Sequence, residues 1–184
     1  MMAAKLPRPP AISISPPREA RVTSPKQQVI PPGLWRRPIH LLAFGFGTGT
    51  SAVAPGTVGT LLGIPLYLLM QSWSLPVYLG ACAVLFGLGV IICHITARDL
   101  KVHDHAGIVF DEIVGYLVTM TGAPTGWWWV GLGFLLFRLF DIWKPWPIRQ
   151  ADRQLGGGFG IMFDDLLAAG YAGSILWIIG RAWI

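Results

Sequence analysis

The sequence predicts an all-α membrane protein: a polytopic helical bundle of about five apolar segments with a Gly-rich interfacial or re-entrant loop. Hydrophobic residues make up 53% of the 184 residues and charged residues only 12%, whereas soluble domains carry about 25% charged residues. Several apolar runs approach the length needed to cross about 30 Å of hydrocarbon. The few acidic residues fall inside these runs or at their ends. Together these observations exclude an ordinary soluble domain.

The N-terminal 34 residues differ in composition from the rest of the chain. They contain eight of the 15 prolines and five basic residues, with Glu19 as their one acid. They lack the continuous apolar stretch of a signal peptide. We therefore predict a disordered, basic, Pro-rich cytoplasmic tail over residues 1–34 and a membrane-embedded domain over residues 35–184.

Five apolar segments follow, near residues 57–73, 76–97, 108–122, 127–144 and 160–183. The second and fifth are long enough to span a bilayer. The third is short and contains Asp111 and Glu112, so it either begins below the interface or packs inside the bundle. Residues 40–57 are rich in glycine and include Pro55, which favours an interfacial or re-entrant loop surrounded by protein or water.

Alternation of these segments across the membrane brings the acids to one side. If the chain alternates sides, starting from the side that holds the N-terminal tail, the second and fourth segments end on that side. The third and fifth segments begin on it. The connections on the opposite side, near residues 72–76 and 122–126, carry no charge. The positive-inside rule makes the charged side cytoplasmic. The acids placed on it are Asp99, Asp104, Asp111, Glu112, Asp141, Asp152, Asp164 and Asp165.

Carboxylates at membrane depth need a counter-charge, because each costs about 2.5–3.5 kcal/mol at the bilayer centre. A bound Mg²⁺ would supply it, since this ion takes oxygen ligands and commonly shares its shell with a substrate phosphate. In each adjacent pair of acids the side chains point about 100° apart, so one ligates while its neighbour orients a water or caps a helix. The candidate metal ligands are Asp111, Glu112, Asp141, Asp164 and Asp165.

Basic residues near the acids predict a phosphate site. Arg138 precedes Asp141 by three residues, which fits a structural ion pair as well as a phosphate contact. Lys144, Arg149 and Arg153 extend this into a cationic clamp, because guanidinium groups bind phosphate in a bidentate manner. Thr57 is a further candidate donor. Since Trp143 and Trp146 suit the headgroup level, the expected ligand is a phosphorylated lipid headgroup.

Two other function classes agree less well with the sequence. A small cation transporter or channel would also place acids in the membrane, but its acids would be distributed through the depth, with a second opening on the far side. A nucleic-acid partner is excluded because the basic residues, despite a net charge of +5, do not line one polar face. The oligomeric state is not predicted.

Four ordered motifs from about residue 35 to the C-terminus resemble the phosphatidylglycerophosphatase A family. They are GFGTGTSAVAPGTVGTL at 45–61, CHITARDLKVHDHAGIVFDEIVGY at 93–116, FRLFDIWKPWPIRQADR at 137–153 and GGGFGIMFDDLLAA at 156–169. The resemblance implies a bacterial inner-membrane enzyme that removes the terminal phosphate of phosphatidylglycerophosphate with Mg²⁺. It also implies functional residues in FDE, DIWKP and FDD, namely Asp111, Glu112, Asp141, Lys144, Asp164 and Asp165.

The expected mechanism combines both lines of reasoning. Carboxylates hold Mg²⁺ against the terminal phosphate, and Arg138, Lys144 and Arg149 neutralise the charge on the transferring group. Glu112 or Asp165 accepts a proton from the attacking water, and Asp141 completes the catalytic set.

Overall fold

A computed structural model describes residues 33–102 and 105–183. The predicted tail, apart from its last two residues, and Asp104 lie outside the described residues. All regular structure in the described part is helical, which confirms the predicted all-α class. The α-helices are α1 (Pro38–Ala43), α2 (Pro55–Met70), α3 (Leu75–Leu100), α4 (Phe110–Thr119), α5 (Trp127–Trp143), α6 (Ile148–Gln154) and α7 (Gly157–Trp183).

Two helices, α3 and α7, are long and apolar enough to cross a membrane. The five predicted segments coincide in position with α2, α3, α4, α5 and α7, but crossing by all five is not confirmed and stays a prediction. Helix α3 exposes much of its apolar surface, as expected of a helix that faces lipid rather than water. Its exposed large side chains are Leu75, Val77, Leu79, Val84, Leu88 and Ile91.

Helix α4 is the centre of the bundle. It packs against α2, α3, α5 and α7, and seven of its 10 residues are buried. The Tyr78 hydroxyl donates to the Leu117 carbonyl at 2.6 Å, and the Tyr116 hydroxyl donates to the Val130 carbonyl at 3.2 Å. The short third segment therefore packs inside the bundle, the second of the two alternatives left open by the sequence.

The start of α7 lies directly against α3. A Cβ on Gly158 would overlap the Val90 carbonyl oxygen and the backbone of His94, so only glycine permits this approach. Helix α5 ends at Trp143, and Lys144 follows in the left-handed region with φ 45°. Pro145 then prevents the helix from continuing. The ends of α3 and α5 and the start of α7 are thus brought to the same end of the bundle.

The Gly-rich segment before α2 contains the short helix α1 and a 3-10 turn over Gly45–Thr50. Helix α1 was not predicted, because glycines dominate the motif that follows it. Its buried His40 lies 3.0 Å from the Thr96 hydroxyl and 3.3 Å from the Asp99 carboxylate. The Val109 amide donates to the Ala43 carbonyl at 2.9 Å. These contacts hold the segment against α3 and the start of α4.

Candidate active site

One cavity of about 340 Å³ opens at the charged end of the bundle. Its walls come from the starts of α2 and α4, the end of α5, helix α6 and the first turns of α7. All five acids predicted as metal ligands lie on these walls, together with two of the predicted cations. The charged residues that line it are Asp111, Glu112, Arg138, Asp141, Lys144, Asp152, Asp164 and Asp165.

Arg138 forms the first charged cluster of the cavity. Its Nη1 lies 2.5 Å from Asp141 Oδ2, one turn along α5, and 3.6 Å from Glu112 Oε1 on α4. The same nitrogen lies 3.5 Å from the Thr60 hydroxyl of α2. The side chains of Arg138, Glu112 and Asp141 are each 13% exposed. The predicted Arg138–Asp141 ion pair is therefore present within α5, and Arg138 also contacts α4 and α2 at a site that a substrate could enter.

Lys144 forms the second cluster. Its Nζ lies 2.5 Å from Asp164 Oδ2 and 2.9 Å from Asp152 Oδ1. Burial lowers the pKa of Lys144, but the neighbouring carboxylates Asp164 and Asp152 outweigh burial and raise it. The ammonium group is therefore a permanent positive charge at neutral pH. Asp152 was not predicted as a site residue, and the one signal for it in the sequence was its position in a short polar segment after Lys144.

Asp165 and Glu112 each keep one carboxylate oxygen whose negative charge no partner balances in the described part of the cavity. Asp165 Oδ2 and Glu112 Oε2 are buried and have no hydrogen-bond partner within the described residues. Asp165 also lies close enough to Asp141, Asp111 and Asp164 to interact with them electrostatically. A buried carboxylate without a partner is destabilising, so this arrangement favours the binding of a cation.

The donor set fits a hard divalent cation such as Mg²⁺. Within residues 33–102 and 105–183, no three His, Cys, Asp or Glu side chains are already grouped as a metal cage. Mg²⁺ does not require such a cage, because it is commonly bound by one or two carboxylates, several waters and a substrate phosphate. Asp165 and Glu112 each have an unpartnered oxygen, so they are the side chains best suited to hold the ion, either directly or through one of its bound waters.

Gly56 brings the start of α2 into the site. A Cβ at this position would overlap Glu112 Oε1 and contact Arg138 Nη2, so the α2 backbone reaches these charged groups only because residue 56 is glycine. Ala54 and Pro55 line the cavity beside it. The neighbouring Thr57, predicted as a phosphate donor, is half-buried and does not line the cavity. Gly56 was not predicted as a site residue. A glycine directly after the proline that begins a helix is a signal in the sequence that the backbone there lies close to other groups.

Arg149 lies outside the carboxylate cavity. Together with Arg153 it lines an adjacent groove of about 600 Å³ that also contains Trp143, Trp146 and Lys144. Lys144 is the charged residue common to both spaces. The five residues predicted to bind phosphate are thus divided: Arg138 and Lys144 line the cavity, Arg149 and Arg153 line the groove, and Thr57 lies beside the cavity.

Residues 41–180 match the family described as phosphatidylglycerophosphatase A. The chain is 49% identical over 152 residues to a phosphatidylglycerophosphatase A of Escherichia coli, covering 79% of this chain and 86% of the relative. It is 46% identical over 144 residues to the enzyme of that name from Haemophilus influenzae, covering 77% of this chain and 88% of the relative.

A third relative carries a different name. It is a Bacteroides thetaiotaomicron protein provisionally named a phosphatidylinositol-3-phosphatase, 36% identical over 151 residues that cover 76% of this chain and 94% of the relative. No solved structure matches the chain.

Proposed function

Because the chain belongs to the phosphatidylglycerophosphatase A family, we propose that it hydrolyses the terminal phosphate of phosphatidylglycerophosphate with Mg²⁺ at the cytoplasmic face of a bacterial inner membrane. The products are phosphatidylglycerol and inorganic phosphate. The observation that carries this proposal is the single cavity in which Asp111, Glu112, Asp141, Asp164 and Asp165 surround two fixed cations.

Mg²⁺ bound to these carboxylates would supply charge neutralisation and a more acidic bound water. Glu112 would hold the ion through its unpartnered oxygen, with Asp111, Asp141 or Asp164 completing the shell, and Asp165 would orient one of the waters bound to the ion. Arg138 and Lys144, each the centre of one charged cluster, both line the cavity. They would orient the phosphate and stabilise the negative charge that develops on its oxygens as the bond to the glycerol oxygen breaks.

We assign the proton acceptor to Asp165. Glu112 faces the Arg138 guanidinium at 3.6 Å, and a nearby positive charge makes a carboxylate a weaker base. Asp165 forms no ion pair with any residue that the structure describes. Its carboxylate is therefore the stronger acceptor for a proton from the attacking water.

The membrane placement rests on α3 and α7. Both helices are long and apolar enough to span a bilayer, and the cavity lies at the end where α3 finishes and α7 begins. Basic residues concentrate at the same end, which assigns it to the cytoplasm. In this placement the acyl chains of the substrate remain in the inner leaflet while its headgroup reaches the cavity.

The comparisons give no support to the alternative of a cation transporter or channel. The family and the similar relatives carry the names of lipid phosphatases. The third relative is named for a different phospholipid headgroup, so we propose phosphatidylglycerophosphate on the strength of the two more similar relatives.

The test is phosphate release from phosphatidylglycerophosphate by the detergent-purified protein, with Mg²⁺ and with excess EDTA. We expect release that requires Mg²⁺ and falls at least about 100-fold in Asp141→Asn, because the variant leaves Arg138 without its closest carboxylate. The matched control is Asp99→Asn, since Asp99 pairs with Arg37 outside the cavity. Undiminished release in EDTA, or in both Asp111→Asn and Asp141→Asn, would overturn the carboxylate–metal mechanism.

A further inference from the structure

A basic–aromatic groove lies next to the catalytic cavity. It is formed by Trp143, Trp146, Arg149 and Arg153, together with Lys144, which it shares with the cavity. Trp143 and Trp146 are both well exposed, and both arginines are exposed on α6. Exposed tryptophans of this kind are typical of the headgroup level of a membrane.

The positive charges of the two arginines in the groove are available to bind an anion. Neither Arg149 nor Arg153 forms an ion pair within residues 33–102 and 105–183. Asp152 lies three residues after Arg149 and could neutralise it on the same helix face, but Lys144 holds that carboxylate at 2.9 Å. The groove therefore keeps two positive charges directed to a headgroup-level surface.

Hydrogen bonds hold the walls of the groove in place. The Tyr171 hydroxyl donates to the Trp146 carbonyl at 2.9 Å, which attaches this turn to α7. The Trp146 indole nitrogen donates to Gln150 Oε1 at 3.2 Å, and Arg149 Nη2 donates to the Trp143 carbonyl at 3.4 Å. The groove is thus an organised part of the fold rather than a gap between mobile side chains.

We propose that the basic–aromatic groove binds the phosphodiester of the lipid substrate while the carboxylate cavity holds its terminal phosphate. This inference rests on the proposed function. Phosphatidylglycerophosphate carries a phosphomonoester and a phosphodiester joined by a short glycerol bridge, and the two spaces meet at Lys144. Arg149 and Arg153 are then specificity residues: they favour a lipid with two phosphates over phosphatidic acid, which carries one.

The phosphodiester bound in the groove could also belong to a neighbouring bilayer lipid rather than to the substrate. The two sources predict different selectivity. A groove that binds the substrate's own phosphodiester discriminates between substrates. A groove that binds surrounding lipid changes the turnover of every substrate to the same degree and responds to the surface charge of the micelle.

The experiment compares the wild-type protein, Arg149→Gln/Arg153→Gln and Arg36→Gln/Arg98→Gln in neutral-detergent micelles. The last variant is the matched control, since it removes two exposed positive charges outside the groove. kcat/KM is measured for phosphatidylglycerophosphate and for phosphatidic acid with the same acyl chains. Where phosphatidic acid turns over too slowly, its inhibition constant against phosphatidylglycerophosphate replaces kcat/KM. A parallel series adds phosphatidylserine to raise the negative surface charge.

We expect the preference for phosphatidylglycerophosphate over phosphatidic acid to fall about 10-fold or more in Arg149→Gln/Arg153→Gln, mainly through KM, with or without phosphatidylserine. The control should keep the wild-type preference. An unchanged preference, or equal losses on both substrates, would overturn the inference and leave the proposed function standing. Should the double variant fail to fold, each single substitution carries the test. A wild-type protein that does not hydrolyse phosphatidylglycerophosphate would instead refute the proposed function.

Discussion

Lys144 Nζ lies 2.5 Å from Asp164 Oδ2, so an ion pair joins the end of α5 to the first turns of α7 across the cavity. The lysine backbone is left-handed at φ 45°, which turns the chain into the segment leading to α6. Its ammonium also reaches Asp152 of α6 at 2.9 Å. One side chain thus connects three helices and separates the cavity from the groove.

Replacing Lys144 by Met should affect both stability and activity. Asp164 would be left buried without a counter-charge, which we expect to cost about 2–3 kcal/mol of unfolding free energy. Phosphate release should fall at least about 100-fold because a fixed cation at the phosphate is lost. Thermal unfolding followed by tryptophan fluorescence, together with turnover, measures both effects.

The double variant Lys144→Met/Asp164→Asn separates the two effects. It should recover most of the lost stability, since neither partner is left charged, but not the activity. Lys101→Met, at an exposed position, is the matched control and should behave as wild type. Recovery of turnover in the double variant would show that Lys144 acts only as a structural partner of Asp164.

Gly56→Ala should lower activity by about 10-fold or more with little effect on membrane insertion. The added Cβ would overlap Glu112 Oε1 and press on Arg138 Nη2, and displacement of catalytic groups by even about 1 Å can cost a factor of 100. Gly80→Ala is the matched control, because, apart from its chain neighbours and its own helix backbone, no described atom lies within 4 Å of its Cβ position. That control should gain about 0.5–1 kcal/mol of stability from helix propensity and keep full activity. Full activity in Gly56→Ala would mean that the start of α2 does not position these groups.

Metal binding should be measurable without turnover. Mn²⁺, used as a paramagnetic substitute for Mg²⁺, should bind the purified protein and be displaced by excess Mg²⁺, as followed by electron paramagnetic resonance. Asp165→Asn should weaken binding at least about 10-fold, since it removes an acid whose oxygen has no partner among the described residues. Asp99→Asn should bind as wild type does. Equal binding by both variants would place the ion away from Asp165.

The convergence of the acids was predictable because it depends on topology alone. Alternation of apolar segments placed Asp111, Asp141 and Asp164 on one side, and the structure places them around one cavity. The prediction needed no knowledge of side-chain packing. The burial of α4 was left open by the sequence, since a short apolar run with two acids fits both an interfacial start and a position inside the bundle.

The positions of Thr57 and Arg149 depended on details that the sequence does not contain. Arg149 was grouped with Lys144 by proximity along the chain, but the turn after Lys144 directs α6 away and leaves Arg149 in the neighbouring groove. Thr57 was chosen for its hydroxyl, whereas the structure brings the backbone at Gly56 to the cavity. Helical hydropathy predicts which side of a membrane a residue reaches, but not which of two adjacent spaces it enters.

Helix α7 carries Asp164 on the wall of the cavity and Tyr171 against the Trp146 carbonyl of the groove. At about 1.5 Å per residue, these positions lie about 10 Å apart along the helix axis. The distance between the carboxylates of the cavity and the wall of the groove is therefore fixed by a continuous helix rather than by a loop. In a lipid with a longer or shorter bridge between its two phosphates, one phosphate could occupy its binding space only if the other were displaced from its own.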